Sequence, residues 1–136
     1  MTSNIKIIKI NSEISSIILN EPKTYNSLSF KNLIDLLKAL KKLDADNKVK
    51  VIIIEGAGKG FSAGHNLKEV RGLKKRDRYQ KLFNLCSKVM LQIVEGRKPV
   101  IAKVHGAAFA AGCQLVASCD LAYSTKDALF ATPGVN

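Results

Sequence analysis

The chain has 136 residues, 46% of them hydrophobic, and a formal net charge of +11. This length supports one domain with a buried core, and no apolar run reaches the roughly 20 residues that a membrane-spanning helix needs. The start of the chain, MTSNIKIIKI, alternates apolar and polar residues and predicts a strand, which argues against a signal or transit peptide. The three cysteines (Cys86, Cys113 and Cys119) lack metal-ligand spacing, so we expect no metal and a reduced, cytoplasmic setting.

The positive charge has two interpretations at this stage. An excess of Lys and Arg favours nucleic-acid binding when it is concentrated on one face. Here the only dense cluster is Arg71–Arg78, and no aromatic residues or recognised nucleic-acid motif accompany it. The composition therefore favours lysines spread over solvent-exposed faces, and we expect no nucleic-acid partner.

The first half of the chain predicts a hairpin followed by a strand–helix–strand unit. Residues 5–10 and 14–19 read as two strands around a turn at Asn11-Ser12. A helix is predicted from about Ser29, followed by a strand over residues 49–54. This order implies a parallel sheet, and so an α/β fold.

The second half continues the alternation of helices and strands. A short helical piece is predicted over residues 67–71 and a long helix over residues 78–94, ended by Gly96 in a left-handed conformation. The apolar run at residues 99–104 predicts a buried strand, and a helix opens near residues 110–112. Two short strands, residues 121–124 and 129–131, complete the chain.

Two loops rich in Gly and Ala follow the two central strands. One runs from Glu55 through Gly64 to Lys68, and the other from Val104 to Gly112. On neighbouring strands such loops can aim two backbone N–H groups at one carbonyl oxygen, which is the geometry of an oxyanion hole. The same residues also permit close packing of helix on sheet. Spacing alone leaves both interpretations open.

The sequences GKGFSAGHNLKE (58–69), KPVIAKVHG (98–106), AAGCQL (110–115) and CDLA (119–122) together resemble the crotonase superfamily, the enoyl-CoA hydratase/isomerase family. The resemblance covers essentially the whole chain. It implies an α/β spiral of ββα units, with residues 1–136 forming the N-terminal part of a domain about twice as long. In complete family members it also implies a homotrimer or hexamer.

The resemblance implies a site that binds an acyl-CoA thioester, with no cofactor beyond the coenzyme A of the substrate. It puts the oxyanion-hole donors at the backbone N–H groups of His65 and Ala111. Contacts to coenzyme A fall on Ala63, Asn66, Leu67 and Lys68, and the segment 20–27 lines the same side. A basic rim would attract the phosphates of coenzyme A.

Family hydratases use two glutamates as general acid and base, and this chain has Gln114 and Gly134 at those positions. Glutamine does not exchange protons at neutral pH and glycine has no side chain. Two hypotheses follow: an enzyme on acyl-CoA thioesters whose proton donor is another residue, or a non-catalytic acyl-CoA-binding or scaffold protein. His65 and His105 are candidate donors, and Cys113 is either a nucleophile or a small packed residue.

Overall fold

The structure is a computed structural model and describes residues 3–133. A hairpin begins the chain: β1 (Ile5–Lys9) pairs antiparallel with β2 (Ile14–Leu19). The Asn11 side chain closes the turn by accepting the N–H groups of Glu13 and Ile14 at 2.9 and 2.8 Å. The predicted hairpin is therefore confirmed.

A parallel sheet grows from β2. The helix α1 (Phe30–Ala45) begins at Ser29, whose hydroxyl accepts the Asn32 N–H at 3.2 Å, and leads to β3 (Val51–Gly56). The helices α2 (Leu67–Gly72) and α3 (Arg76–Glu95) then lead to β4 (Val100–Val104). With β6 (Leu121–Ser124) the strand order is β1-β2-β3-β4-β6, parallel from β2 onward.

The core lies between this sheet and the helices. Successive strand residues point to opposite faces, and one face of β2, β3 and β4 is fully buried against α1 and α3. Its members are at most 3% exposed: Ile17, Leu19, Ile52, Ile54, Val100, Ala102 and Val104. The start of β4 is also tied to the end of α1, because the Lys98 ammonium donates to the Leu43 carbonyl at 2.7 Å and to the Asp46 carbonyl.

The structure also has a two-stranded sheet, of which the sequence predicted only the strand at residues 129–131. Residues 107–109 form β5 (Ala107–Phe109), which pairs parallel with β7 (Leu129–Ala131). Between them lie α4 (Ala111–Ser118) and β6. None of the helices formed by residues 3–133 is long and apolar enough to cross a membrane.

The α/β class is confirmed, and one local prediction is wrong. Gly96, which ends α3, has φ −62°, so it is not left-handed. A Cβ at this position would lie 2.6 Å from the Gln92 carbonyl oxygen. Glycine is required here by the close approach of backbone and not by the sign of φ.

Candidate active site

The two Gly- and Ala-rich loops lie side by side. The Phe61 and Ser62 N–H groups donate to the Ala107 carbonyl at 3.0 and 3.1 Å, and the Phe109 N–H donates to the Ser62 carbonyl at 2.9 Å. A Cβ on Gly112 would clash with the Ser62 carbonyl oxygen. The start of α4 is thus packed against the loop after β3, which confirms that these residues permit close packing. The oxyanion-hole interpretation stays a prediction.

The loop residue before His65 lies close to the start of α4, at Ala111. A Cβ on Gly64 would lie 3.1 Å from the Ala111 nitrogen and 3.0 Å from the Phe109 carbonyl oxygen. Gly64 has φ +88°, which sets the orientation of the peptide that carries the His65 N–H. Neither this N–H nor the Ala111 N–H donates a backbone hydrogen bond to an acceptor within residues 3–133. Ala111 is also the first residue of α4, where the helix dipole favours negative charge.

Ala110 stores backbone strain next to one of these donors. Its φ of 50° and ψ of −121° are sparsely populated by residues with a side chain. The Ala110 N–H donates to the Ala131 carbonyl of β7 at 2.8 Å. These two torsions orient the peptide that carries the Ala111 N–H, so the strained conformation of Ala110 sets the direction of that N–H.

The side chain of Asn26 holds the loop after β3 by hydrogen bonds. This buried residue has φ 53°, and its side-chain amide donates to the carbonyls of Ala57, Gly60 and Phe61 at 2.8, 3.0 and 3.2 Å. Its side-chain oxygen accepts the Glu21 N–H at 2.9 Å. One side chain thus connects the segment after β2 to the loop that presents His65.

The residues predicted to contact coenzyme A line one groove of about 250 Å³, together with His65. Ala63, Leu67 and Lys68 are exposed along it, and Asn66 accepts the Lys68 and Glu69 N–H groups at 3.0 and 3.2 Å as the N-cap of α2. The opposite wall comes from the segment after β2, with Lys23, Thr24 and Ser27. The sequence analysis did not name Lys23 as a contact to coenzyme A, although it expected the segment 20–27, which carries Lys23, on this side.

The side chains available for proton transfer are few. Gln114 is exposed on the second turn of α4, and Gly134 lies outside the described residues. The His65 ring packs edge-on against Phe83 at 5.3 Å between ring centroids, and its Nδ1 lies 3.3 Å from the Leu28 carbonyl. His105 Nε2 lies 2.7 Å from the Gly58 carbonyl. Both rings are therefore held by loop backbone, which favours structural roles.

The cysteines differ in their surroundings. Cys86 is buried in the core as predicted, and burial raises the pKa of its thiol. Burial, with a smaller contribution from the neighbouring Asp120 carboxylate, raises the pKa of Cys119 to about 12. Cys113 is half-buried in the first turn of α4. Among residues 3–133 no group of three or more His, Cys, Asp or Glu side chains is placed to hold a metal ion.

Comparison with known proteins places this geometry in a family. The family model described as "Enoyl-CoA hydratase/isomerase" matches residues 9–136. A solved enoyl-CoA hydratase from Mycobacterium smegmatis is 44% identical with a TM-score of 0.94, covering 98% of this chain and 52% of its own. The solved human enoyl-CoA hydratase domain-containing protein 3 (ECHDC3) is also 44% identical, with a TM-score of 0.92 and the same coverage.

The curated human protein of that name is 50% identical over 127 residues, which are 90% of this chain and 41% of the relative. The chain thus spans about half the length of the proteins it matches. Within the family, the sequence variants SAGHNLKE and AAGCQLVASCD predict a likeness to this branch, and the comparison confirms it.

One prediction is overturned by these relatives. The human protein and its Rattus norvegicus and Xenopus laevis counterparts are named as mitochondrial, so the expected cytoplasmic setting is wrong. Unpaired cysteines indicate only that a compartment keeps thiols reduced. The fold match confirms the crotonase-like α/β class, and with a family model that covers nearly the whole sequence, this chain belongs to the enoyl-CoA hydratase/isomerase family.

Proposed function

We propose that the chain binds an acyl-CoA thioester, with the thioester carbonyl held by the N–H groups of His65 and Ala111. The observation that carries this proposal is the groove that gathers Ala63, Asn66, Leu67 and Lys68 beside His65. Lys23 and Lys68 bring positive charge to its two walls, which suits the phosphates of coenzyme A.

The chemistry expected of the oxyanion hole is stabilisation of negative charge. When a nucleophile adds to an α,β-unsaturated thioester, electron density moves onto the carbonyl oxygen. Preorganised N–H donors stabilise that oxyanion, and loss of one such donor costs about 3–4 kcal/mol in enzymes that depend on it. The dipole of α4 adds to the effect at Ala111.

Hydration also needs a base to take a proton from water and an acid to return one to carbon. Gln114 cannot do this, and Gly134 offers no side chain. We therefore favour binding with little hydration, and keep as the alternative an enzyme whose proton donor is another residue. The trimer or hexamer expected from the resemblance stays a prediction.

The first test is a calorimetric titration with crotonyl-CoA, with hydration followed at the enoyl absorbance in parallel. Gly64→Ala places a methyl group 3.1 Å from the Ala111 nitrogen at φ +88°, and we expect it to weaken binding at least tenfold. Gly72→Ala is the matched control, because a Cβ there meets nothing within 4 Å. Equal affinity of the two variants would refute the assignment of the donors.

A double variant separates the two hypotheses about turnover. Gln114→Glu with Gly134→Glu restores carboxylates at both family positions. If the unmodified chain binds crotonyl-CoA without turnover and the double variant hydrates it, the absent carboxylates explain the lost activity. Turnover by the unmodified chain would instead favour another proton donor.

A further inference from the structure

Almost half of the net positive charge of the chain lies in one short segment. Residues 71–81 run from the end of α2 through the connection into α3 and contain six lysines and arginines against the single acid Asp77. The net charge of this basic segment is +5, out of +11 for the whole chain. All six of its cationic residues are exposed: Arg71, Lys74, Lys75, Arg76, Arg78 and Lys81.

The rest of the described chain does not neutralise these cations. The ion pairs formed among residues 3–133 involve the cations Lys31, Arg97 and Lys103, and none involves the basic segment. Like charges held this close repel one another, and a surface of opposite charge relieves that repulsion. The basic segment is therefore suited to an anionic partner.

An apolar groove lies beside the basic segment, between the start of α1, α2 and α3. It has a volume of about 350 Å³, and its apolar lining comes from Phe30, Leu73 and Leu82. Phe30 is 39% exposed, and Arg78 and Lys81 of the basic segment also line the groove. Apolar surface and positive charge thus lie side by side, which is the combination that binds to anionic lipid surfaces.

The one carboxylate that lines the apolar groove, Glu69, is already engaged. Its Oε1 accepts the N–H of Phe30 at 2.8 Å, in the first turn of α1, where the helix dipole stabilises negative charge. The ion pairs of the described residues do not include Glu69. Arg78 and Lys81 are therefore available to an external anion.

This surface is separate from the groove assigned to coenzyme A. That groove is lined by residues of the segments 23–27 and 63–68, and the two grooves share no lining residue. No residue that lines the apolar groove lies beyond Leu82 in the chain. Binding of an acyl-CoA thioester therefore does not account for the basic segment.

We propose that the basic segment and the apolar groove together form a docking surface for an anionic phospholipid bilayer. The lipid phosphates meet the lysines and arginines, while the acyl-chain boundary meets Phe30 and the groove. A nucleic acid offers the same phosphates but leaves the apolar groove in water. The only aromatic residue of the basic segment, Tyr79, is half-buried, which disfavours base stacking. A lipid surface thus accounts for both features.

The test contains no acyl-CoA, so its outcome is independent of the proposed function. Binding is measured by co-sedimentation with vesicles of phosphatidylcholine alone and of an equal mixture of phosphatidylcholine and phosphatidylglycerol. We expect at least tenfold tighter binding to the anionic vesicles. Raising the salt from about 0.1 M to about 1 M shortens the screening length from about 10 to about 3 Å and should weaken that binding at least tenfold. Equal binding to both kinds of vesicle would overturn the proposal.

Charge reversal at two places locates the surface. Lys74→Glu with Lys75→Glu should weaken binding to the anionic vesicles at least tenfold. Lys41→Glu with Lys42→Glu is the matched control, an exposed adjacent pair on α1 with the same change in charge, and should weaken it less than threefold. Far-ultraviolet circular dichroism checks the fold, and Lys74→Gln with Lys75→Gln should give a smaller loss in the same direction. Equal losses for the two Glu pairs would overturn the proposal, because net charge alone would then control binding.

The apolar groove is tested separately. Phe30→Gln should weaken binding to the anionic vesicles at least threefold, whereas Val94→Gln, at the more exposed position of the two with 62% exposure on α3, should leave it unchanged. Random-sequence duplex DNA is added as a competitor. If the DNA displaces the chain from the vesicles and Phe30→Gln has no effect on vesicle binding, the partner is a nucleic acid and the proposal fails.

Discussion

Removal of the Asn26 amide is the sharpest test of how the loop after β3 is held. The side chain of this residue makes four hydrogen bonds, three donated and one accepted, and only 2% of the residue is exposed. Because one NH2 group has two hydrogens, the three donated contacts count as two full bonds, and with the accepted bond they make three. At a net value of about 1 kcal/mol each, their loss should cost about 3 kcal/mol.

Three substitutions separate the parts of this effect. Asn26→Gly keeps the left-handed backbone available and should lose only the hydrogen bonds. Asn26→Ala adds about 1–2 kcal/mol, because φ 53° disfavours a side chain that cannot bond locally. Asn26→Asp sets a carboxylate against three carbonyl oxygens and should be the most harmful, at about 3–5 kcal/mol or more.

The assay is urea unfolding followed by far-ultraviolet circular dichroism, with Asn47→Ala as the exposed control. Natural domains are stable by about 5–15 kcal/mol, so a loss of 3 kcal/mol is easily measured. A loss below about 1 kcal/mol for Asn26→Gly would refute the hydrogen-bond accounting. Equal losses for Asn26→Gly and Asn26→Ala would refute the backbone contribution.

Three further changes test other parts of the structure. Ala110→Gly should raise the free energy of unfolding by about 1 kcal/mol by relieving strain, whereas Ala117→Gly in the last turn of α4, where no strain is relieved, should lower it by about 0.5–1 kcal/mol; a loss at both sites would contradict the strain argument. At pH 8 Cys113 should react with iodoacetamide well before Cys119, because a pKa of about 12 leaves roughly one thiolate in 10⁴ at Cys119. The reaction rate of Cys119 should rise as the pH approaches 12. Equal rates for the two cysteines at pH 8 would contradict the raised pKa of Cys119. Lys98→Met keeps the aliphatic stem but frees the carbonyls at the end of α1, and should lower stability by about 1–2 kcal/mol in the same urea assay; an unchanged midpoint would show that the ammonium contributes nothing there.

Local patterns predicted most elements of the main sheet. The alternation in residues 5–19 and the apolar runs in β3 and β4 are signals of period and burial that a short window contains. The candidate site residues could be named because the Gly- and Ala-rich loops match a family pattern. Their position along one groove is a property of the fold.

The features that sequence reasoning missed depend on contacts between distant segments. The strand β5 has three residues, and its partners are the loop at Phe61-Ser62 and β7. Nothing in the identity of Ala110 indicates a positive φ, since alanine disfavours it. The conformation is fixed by the packing of α4 on the other loop and by the bond to Ala131. Asn26 is of a residue type that tolerates φ 53°, but its acceptors lie more than thirty positions away.

The in-register pairing of β3 with β4 makes this region intolerant of changes in chain length. Glu55 stands opposite Lys103, and a fixed number of residues separates each of them from the proposed donor that follows its strand, His65 or Ala111. Deletion of Ile101, with the start of β4 held in register, would turn Ala102 and Val104 away from the core and draw Ala111, the proposed donor, back by about 3.3 Å. The connection between α2 and α3, where residues 74–76 are exposed, has no such constraint. Length variation among natural or designed versions of this domain should therefore collect at that connection, and the two strands should keep a constant residue count even where their side chains change.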